Sequence, residues 1–559
     1  MSRTSGLERF GGWFVQTSVR ISSDLSETPK HPAGSVAALL HSWRYFFAFI
    51  ALLGLVGLFY YEENWRGPRA WNKYKSRSEA RGERFDASGF VPAMVPPSEN
   101  FAMTPFLAPM FDFIPGTQKW RSTNTMAIVG GFAPEYDRAA RAVKASKGAR
   151  SNSWLTSEID LVAWRQAYLQ STNRINQPAR EDARPTDLAV SRKEAAEAVL
   201  ANLEECSDVV EELRESSKRK YSRFNLQYNN EDPAAILLPH LAVLKHICQV
   251  LQLRATAELA LGKTDEAFSD VKLMFHVEEA SRNEPILISQ FVRMPMLYMT
   301  MELIADGFGR WSEPQLKEFE QELQEIDFCT DVKRALDAER VLFGGGIIEF
   351  LRREPDKFEA LSGDGNFPGA IPGAIWSAVP NGWFDLEKMN YTHLFDEFVL
   401  PSIDLTNRRV NPTACKQLEQ RMTAILNKSH ARLFLQHRAF CSLLVPGVLT
   451  AARKTAFGQT AADTAAIACA VERFKLARGK LPESLEELVP QFMEKLPHDV
   501  ITGQPLKYMR TEDGHYAIYS LGWNEKDDGG VTGFKKGAAD VPVKKGEHDV
   551  PEEGDWVWR

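Results

Sequence analysis

The polarity pattern of the chain changes three times, and each change predicts a different kind of element. Residues 45–61, YFFAFIALLGLVGLFYY, carry no charge over seventeen positions. That length lies at the short end of what crosses a bilayer core. Trp43 and Tyr45 stand at one end of the run, and Tyr60, Tyr61 and Trp65 at the other, as aromatic belts do at the two interfaces. The run therefore predicts a single transmembrane anchor over residues 43–62, behind an N-terminal tail of residues 1–42. A buried core helix is the competing reading, but no amphipathic partner lies nearby in the sequence. No small-residue cleavage site follows, so the run reads as a retained anchor and not as a signal peptide.

Beyond the anchor the periodicity becomes helical, with interruptions. Residues 63–186 open with a basic juxtamembrane helix and continue as an irregular linker. Pro92, Pro96, Pro97, Pro105, Pro109 and Pro115 break any helix there, and the interleaved Phe101, Phe106, Phe111 and Phe113 mark a segment laid over another surface. Residues 154–169 have the pattern of a short helix. Ser191 and Glu194 have capping-box spacing at the head of a strong helix. Its apolar positions Val199, Leu203, Cys206, Val210 and Leu213 recur at steps of four and three. A second helical unit covers 234–261, turns at 262–265 and resumes at Glu266. Further helices are expected over 289–307, 313–342 and 415–444. Between 354 and 409 the pattern fails at Gly363, Gly365, Pro368, Gly369, Pro372, Gly373, Pro380 and Gly382. That stretch predicts an irregular insertion within a helical domain of residues 187–450.

The last hundred residues switch again. Ile467, Ala470, Val471 and Phe474 form an apolar stripe that closes at Arg478-Gly479, a basic last turn followed by a glycine suited to a left-handed C′ position. Pro482 begins a second short helix over 483–489. Residues 506–510 and 516–520 read as strands joined at Asp513-Gly514, a type I′ turn signal. Asp555-Trp556-Val557-Trp558 reads as a last short strand. Before it lies the acidic, glycine-rich run Asn524-Glu525-Lys526-Asp527-Asp528-Gly529-Gly530.

Composition narrows the chemistry. A net charge of −7 with 25% charged residues leaves no basic excess to draw nucleic acid, which is excluded as a partner. Cys206, Cys248, Cys329, Cys415, Cys441 and Cys469 are scattered singly and predict buried, unpaired thiols, not a disulfide framework or a zinc site. No H-E-x-x-H, Walker A, G-x-S-x-G or G-x-G-x-x-G pattern occurs. Gly344-Gly345-Gly346 lacks the strand and lysine of a phosphate loop and reads as a flexible helix junction. His276 lies three residues before Glu279, and His430 and His437 fall seven apart on one expected helix face. Neither set offers three convergent ligands, so both read as surface or capping residues. No catalytic residue and no small-molecule substrate are assigned.

Two resemblances add to this reading. Leu259-Ala260-Leu261-Gly262-Lys263-Thr264-Asp265-Glu266-Ala267 is similar to the interhelix turn of a tetratricopeptide repeat, and implies an α-hairpin layer. The tail's Arg478-Gly479-Lys480-Leu481-Pro482, its Pro497-His498-Asp499…Gly503-Gln504-Pro505…Tyr508 run, the hairpin and the acidic loop resemble the soluble head of a type II secretion major pseudopilin. The pilin's own N-terminal helix is missing. As a whole the chain resembles large membrane-anchored bacterial proteins that combine one anchor, a helical middle and this tail.

The resemblance implies a small α+β domain over 451–559 and a calcium ion held by Asn524, Asp527, Asp528 and Asp555, with Ser520 and backbone carbonyls adding oxygens. A solvated turn is the competing reading of that loop. The resemblance also implies a tail outside the bacterial inner membrane. Arg66, Arg69, Lys73, Lys75, Arg77 and Arg81 crowd the C-terminal side of the anchor and argue for the cytoplasm. The expected fold is thus mainly α: one N-terminal transmembrane helix, a tetratricopeptide-like helical middle and a pilin-like α+β tail. The expected function is structural or in protein–protein interaction at the envelope, linked to a secretion-type assembly, with a protein partner and without catalysis. The alternatives are a metal-assisted envelope hydrolase using the acidic loop, and a helical adaptor that binds an extended peptide.

Overall fold

A computed structural model describes residues 35–122, 132–144, 159–176, 190–228, 230–358, 373–511, 514–531 and 554–558, in two compact units, Met1–Glu62 and Glu63–Arg559. The described residues are mainly helical. In the first unit a helix begins at Ser35, and its apolar run faces outward, with Phe47 60% and Leu55 64% exposed. It has the length and polarity to cross a membrane. Residues Pro233–Ala260 pass the same test, but half of their most apolar stretch is buried in the second unit, as befits a core helix.

The second unit opens with the remaining turns of that first helix, which ends at Glu79 and contains Pro68. Proline offers no N–H, so the carbonyl four residues earlier loses its helical donor. Here the backbones of Gly67 and Gly382 meet so closely that a Cβ on either would collide with main chain. The Asn64 side-chain oxygen accepts the Gly382 N–H at 3.0 Å. Short 3-10 turns follow between Ala87 and Phe111. Their aromatics strap the helices as the pattern required: Phe101 lies edge-on to His276, and Phe111 beside Phe224 and His240.

The capping box of Ser191 and Glu194 forms, and Val199, Leu203, Cys206, Val210 and Leu213 are all buried. The stripe crosses a break, however: helix Arg192–Leu203, a 3-10 turn Glu204–Cys206, then helix Ser207–Ser216. Helices Pro239–Ala260, Thr264–Glu279 and Leu287–Asp306 pack on one another around the turn at Gly262. Buried charges lock this layer. Arg293, 1% exposed, pairs with Glu278 at 2.9 Å and Asp331 at 2.8 Å and donates to Gln290 at 2.7 Å. Asp270 takes Arg214 and Arg254, each at 2.8 Å.

Several expected boundaries move. The helix expected over 313–342 divides into Glu313–Gln324, Phe328–Ala338 and a π-helical turn Glu339–Gly344, because Asp327 caps the second piece by accepting the Thr330 N–H at 3.0 Å. The helix expected over 154–169 is found at Leu161–Asn176; residues 154–158 lie outside the described residues. The helix expected over 415–444 divides into Pro412–Leu426, His430–Leu435 and Ala439–Leu444. His437 sits at positive φ between the last two, so it does not share a helix face with His430. His276 is largely covered by Phe101, and burial lowers its pKa. Gly344 is not a flexible joint: the Tyr391 ring fills the space where its Cβ would be, and Gly346 lies against Pro233.

The insertion expected over 354–409 is irregular only in part. Residues 359–372 lie outside the described residues, but Gly382–Leu394 is a core helix with Phe384, Leu386, Tyr391 and Leu394 buried. A π-helical turn Phe395–Val399 and a small antiparallel hairpin follow, β1 (Ile403–Asp404) with β2 (Arg409–Val410). The tail consists of helix Ala451–Arg478 and a three-stranded antiparallel sheet, β3 (Lys507–Arg510), β4 (Tyr516–Ser520) and β5 (Trp556–Trp558), in the order β3-β4-β5. Gly479 takes the left-handed conformation at φ 70° that ends the helix. The short helix expected over 483–489 is a 3-10 turn, Leu485–Leu488, and Asp513 of the expected turn lies outside the described residues.

Candidate functional site

The expected boundary at residue 451 falls inside one continuous packed body. Residues 456–470 are rich in alanine, which makes the Ala451–Arg478 helix thin and lets neighbours approach closely. It packs against Glu313–Gln324, Phe328–Ala338 and Leu287–Asp306 as well as against β2, β4 and β5. Gly458 meets Met294 and Phe328. Buried polar groups fix the register. Gln459 accepts the Phe328 N–H at 2.8 Å and donates to the Ile326 carbonyl at 3.0 Å. Arg408 grips Asp463 with two bonds at 3.0 and 2.9 Å, and Arg473 donates to Glu313, Glu320 and the Phe492 carbonyl. Burial raises the Asp463 carboxyl and the Arg408 guanidinium opposes it. The tail is thereby joined to the helices by charge-assisted bonds whose partners lie far apart in sequence.

The four residues singled out for calcium are brought near one another, but their oxygens face the loop's own donors. Asp555 is fully buried and accepts from the Asp528 N–H at 3.3 Å and the Gly530 N–H at 2.6 Å. Burial raises its pKa, and those two amides hold it down. Asp527 accepts from the Gly529 N–H at 3.1 Å and the Tyr519 hydroxyl at 3.3 Å. Asn524 donates to Asp528 at 2.9 Å and accepts the Lys526 N–H at 3.0 Å. Ser520 donates to Asp499 at 2.8 Å, and Asp499 also holds the Ile501 N–H and the Thr502 hydroxyl. Among the described residues, no three His, Cys, Asp or Glu side chains are grouped as metal ligands. In this arrangement the carboxylates scaffold the turn through the loop's own donors.

Next to that loop lies a cleft of about 570 Å³, lined by the β1–β2 hairpin, by Lys333 from helix Phe328–Ala338 and by Glu525 of the acidic loop. Lys333 donates to the carbonyls of Leu400 and Ile403, and burial lowers its pKa. Arg409 donates to the Ile501 carbonyl at 2.8 Å, and Asp404 accepts the Thr406 N–H at 2.9 Å. The lining contains no histidine or cysteine. The lining combines a hydroxyl, an amide and both signs of charge, groups that can hydrogen-bond to a polypeptide segment. Sequence reasoning missed this cleft. Its only local signal was Asp404-Leu405-Thr406-Asn407 between Ile403 and Val410, a turn inside a stretch read as irregular.

No family model matches this chain, and no curated protein or solved structure matches it.

Proposed function

We propose that this is a membrane-anchored structural protein whose body holds a protein partner at the cleft between the β1–β2 hairpin and the acidic loop, without catalysis. The observation that carries the reading is the cleft itself, which displays hydroxyl, amide and charged groups of both signs from the β1–β2 hairpin, Lys333 and the acidic loop. Several buried charges elsewhere pair with one another within the core, as at Arg293, Asp270, Asp463 and Arg473. The apolar Ser35–Glu79 helix supports the anchor. The tail is placed outside the bacterial inner membrane, and its partner in a secretion-type assembly, on the resemblance of its sequence to pseudopilin heads.

The test is site-specific photo-crosslinking in native membranes. A crosslinker replacing Thr406, which is exposed at the cleft, is expected to give one discrete adduct, and one replacing the exposed Glu197 none. Equal adducts at both positions, or none at Thr406, would overturn the reading. Repeating the reaction with a calcium chelator tests the loop: an unchanged adduct is expected where the loop's own donors hold the carboxylates, and loss of the adduct would assign them an ion.

A further inference from the structure

Residues 416–438 run against the charge of the chain. Lys416, Arg421, Lys428, Arg432 and Arg438 are offset there only by Glu419, in a protein of net charge −7. Helices Pro412–Leu426 and His430–Leu435 bring four of these cations together. Desolvation is the first influence lowering the Lys428 pKa, and the charges of Arg438, Arg432 and Arg421 add to it. Among the described residues none of the four forms an ion pair with a carboxylate. Large apolar side chains stand exposed beside them: Leu435 is 66%, Leu426 48% and Ile375 46% exposed. Ile375 is held there by its neighbour Trp376, whose ring lies 5.2 Å from Phe434. A pocket of about 230 Å³ in the same region is lined by Asn390, Arg421, Arg438 and the His393–Glu397 pair.

This region has a fixed address along the chain. Trp383 packs edge-on against Phe434 and His437 at 5.0 and 4.8 Å. The preceding Gly382 is bonded to Asn64, and the apolar run ends at Tyr61, three residues before Asn64. Covalent connection alone keeps Asn64 and whatever packs on it within a few residues' reach of the anchor's end.

We propose that this face seats on the surface of the membrane that holds the anchor. Leu435, Leu426 and Ile375 enter the interfacial layer while Arg421, Lys428, Arg432 and Arg438 meet anionic headgroup phosphates. Apolar insertion and attraction to anionic lipid add in such contacts, and basic side chains place their stems in the interface and their heads at the phosphates. The proposal rests on the anchor reading, and the experiment separates the two.

The full chain is reconstituted into phosphatidylcholine vesicles with and without about 30% phosphatidylglycerol, enough to set a negative surface potential. Single Leu55→Cys, Glu197→Cys and Leu435→Cys variants carry an environment-sensitive fluorophore, the six native cysteines being buried. Quenching by spin-labelled lipid is then read at each position. The Leu435 label is expected to be quenched at least about twofold more than the Glu197 label, with a further increase in anionic vesicles. Replacing Arg421, Lys428, Arg432 and Arg438 by Gln should remove that increase. Quenching at Leu55 with Leu435 no different from Glu197 overturns the proposal and leaves the anchor standing. An unquenched Leu55 overturns both. Quenching at Leu435 that ignores anionic lipid and the four substitutions overturns the headgroup contact.

Discussion

Glu387 gives the sharpest test of how the core is built. It is 1% exposed on helix Gly382–Leu394, and its two oxygens accept the N–H groups of Ala439 and Phe440, each at 3.1 Å. It thus caps the first turn of Ala439–Leu444 from another part of the chain. Among the described residues no lysine or arginine pairs with it, and burial pushes its carboxyl up to about 8 against an ordinary 4.5, the two amides offsetting only part of that. A folded-state pKa raised above the unfolded one gives stability that is whole below the unfolded value and is lost as pH rises through the folded value. The window therefore runs from about 4.5 to about 8. At ~1.4 kcal/mol per unit, the part between pH 6 and pH 8 is about 3 kcal/mol.

Substituting Glu387→Gln removes the ionisation and keeps one acceptor for the Ala439–Phe440 turn. An unfolding entropy of roughly 2 cal/mol/K per residue makes about 1 kcal/mol equivalent to ~1 °C for a body of this size. Melting curves of the full chain in detergent, followed by tryptophan fluorescence from pH 5.5 to 9, should draw apart as pH rises. The variant should gain about 3 °C on the native protein between pH 6 and pH 8. Burial also raises Glu278 and Glu339 to about 7, but those groups are common to both proteins and cancel in the difference. Parallel curves with a constant offset would show that Glu387 does not titrate in this range, and would refute the reasoning.

Arg293→Met should lower the melting temperature by roughly 3–5 °C, the cost of leaving Glu278 and part of the Asp331 cluster buried without their cation. Adding Glu278→Met should recover most of that loss, and an unchanged melting temperature in the single variant would show the cluster to be weaker than its geometry. Gly382→Ala places a Cβ against the Glu63 carbonyl and the Asn64 backbone, an overpacking cost of about 1–3 kcal/mol. It is expected to speed tryptic cleavage at Arg66, Arg69 and Lys73, and unchanged cleavage would mean that this close approach is not what holds the segment.

The sequence pattern was most readable where one face of an element meets water. The 191–213 stripe, the hairpin around Gly262 and the proline-broken aromatic strap all follow periodicity or turn chemistry that needs no knowledge of neighbours. It failed where polar side chains are buried together with apolar ones. Helix Gly382–Leu394 buries Asp385, Glu387 and Thr392 along with Trp383, Phe384, Leu386, Tyr391 and Leu394, so its polarity pattern does not mark which side is covered. The glycines that read as breakers, Gly344 and Gly382, are there because an aromatic ring and a crossing backbone occupy the space of a side chain. No local pattern encodes such a neighbour.

The same limit explains the candidate site. Spacing along the chain could gather Asn524, Asp527 and Asp528 and add Asp555, but it carries no information on which donors their oxygens face. Backbone amides, a tyrosine hydroxyl and the Asn524 side-chain amide donate to them. The pairs that decide how the tail is held, Arg408 with Asp463 and Arg473 with Glu313 and Glu320, span 55 and 153–160 positions. Because each of these pairs draws one partner from the tail helix and the other from outside it, the acidic loop is not presented by an independently mobile head. Its position relative to the β1–β2 hairpin is set by the helical core, which is why a cleft shared by the two can be specific for a partner. A partner at that cleft would then stabilise helices on both sides of residue 451 together, and core substitutions such as Arg293→Met should weaken its capture without touching it.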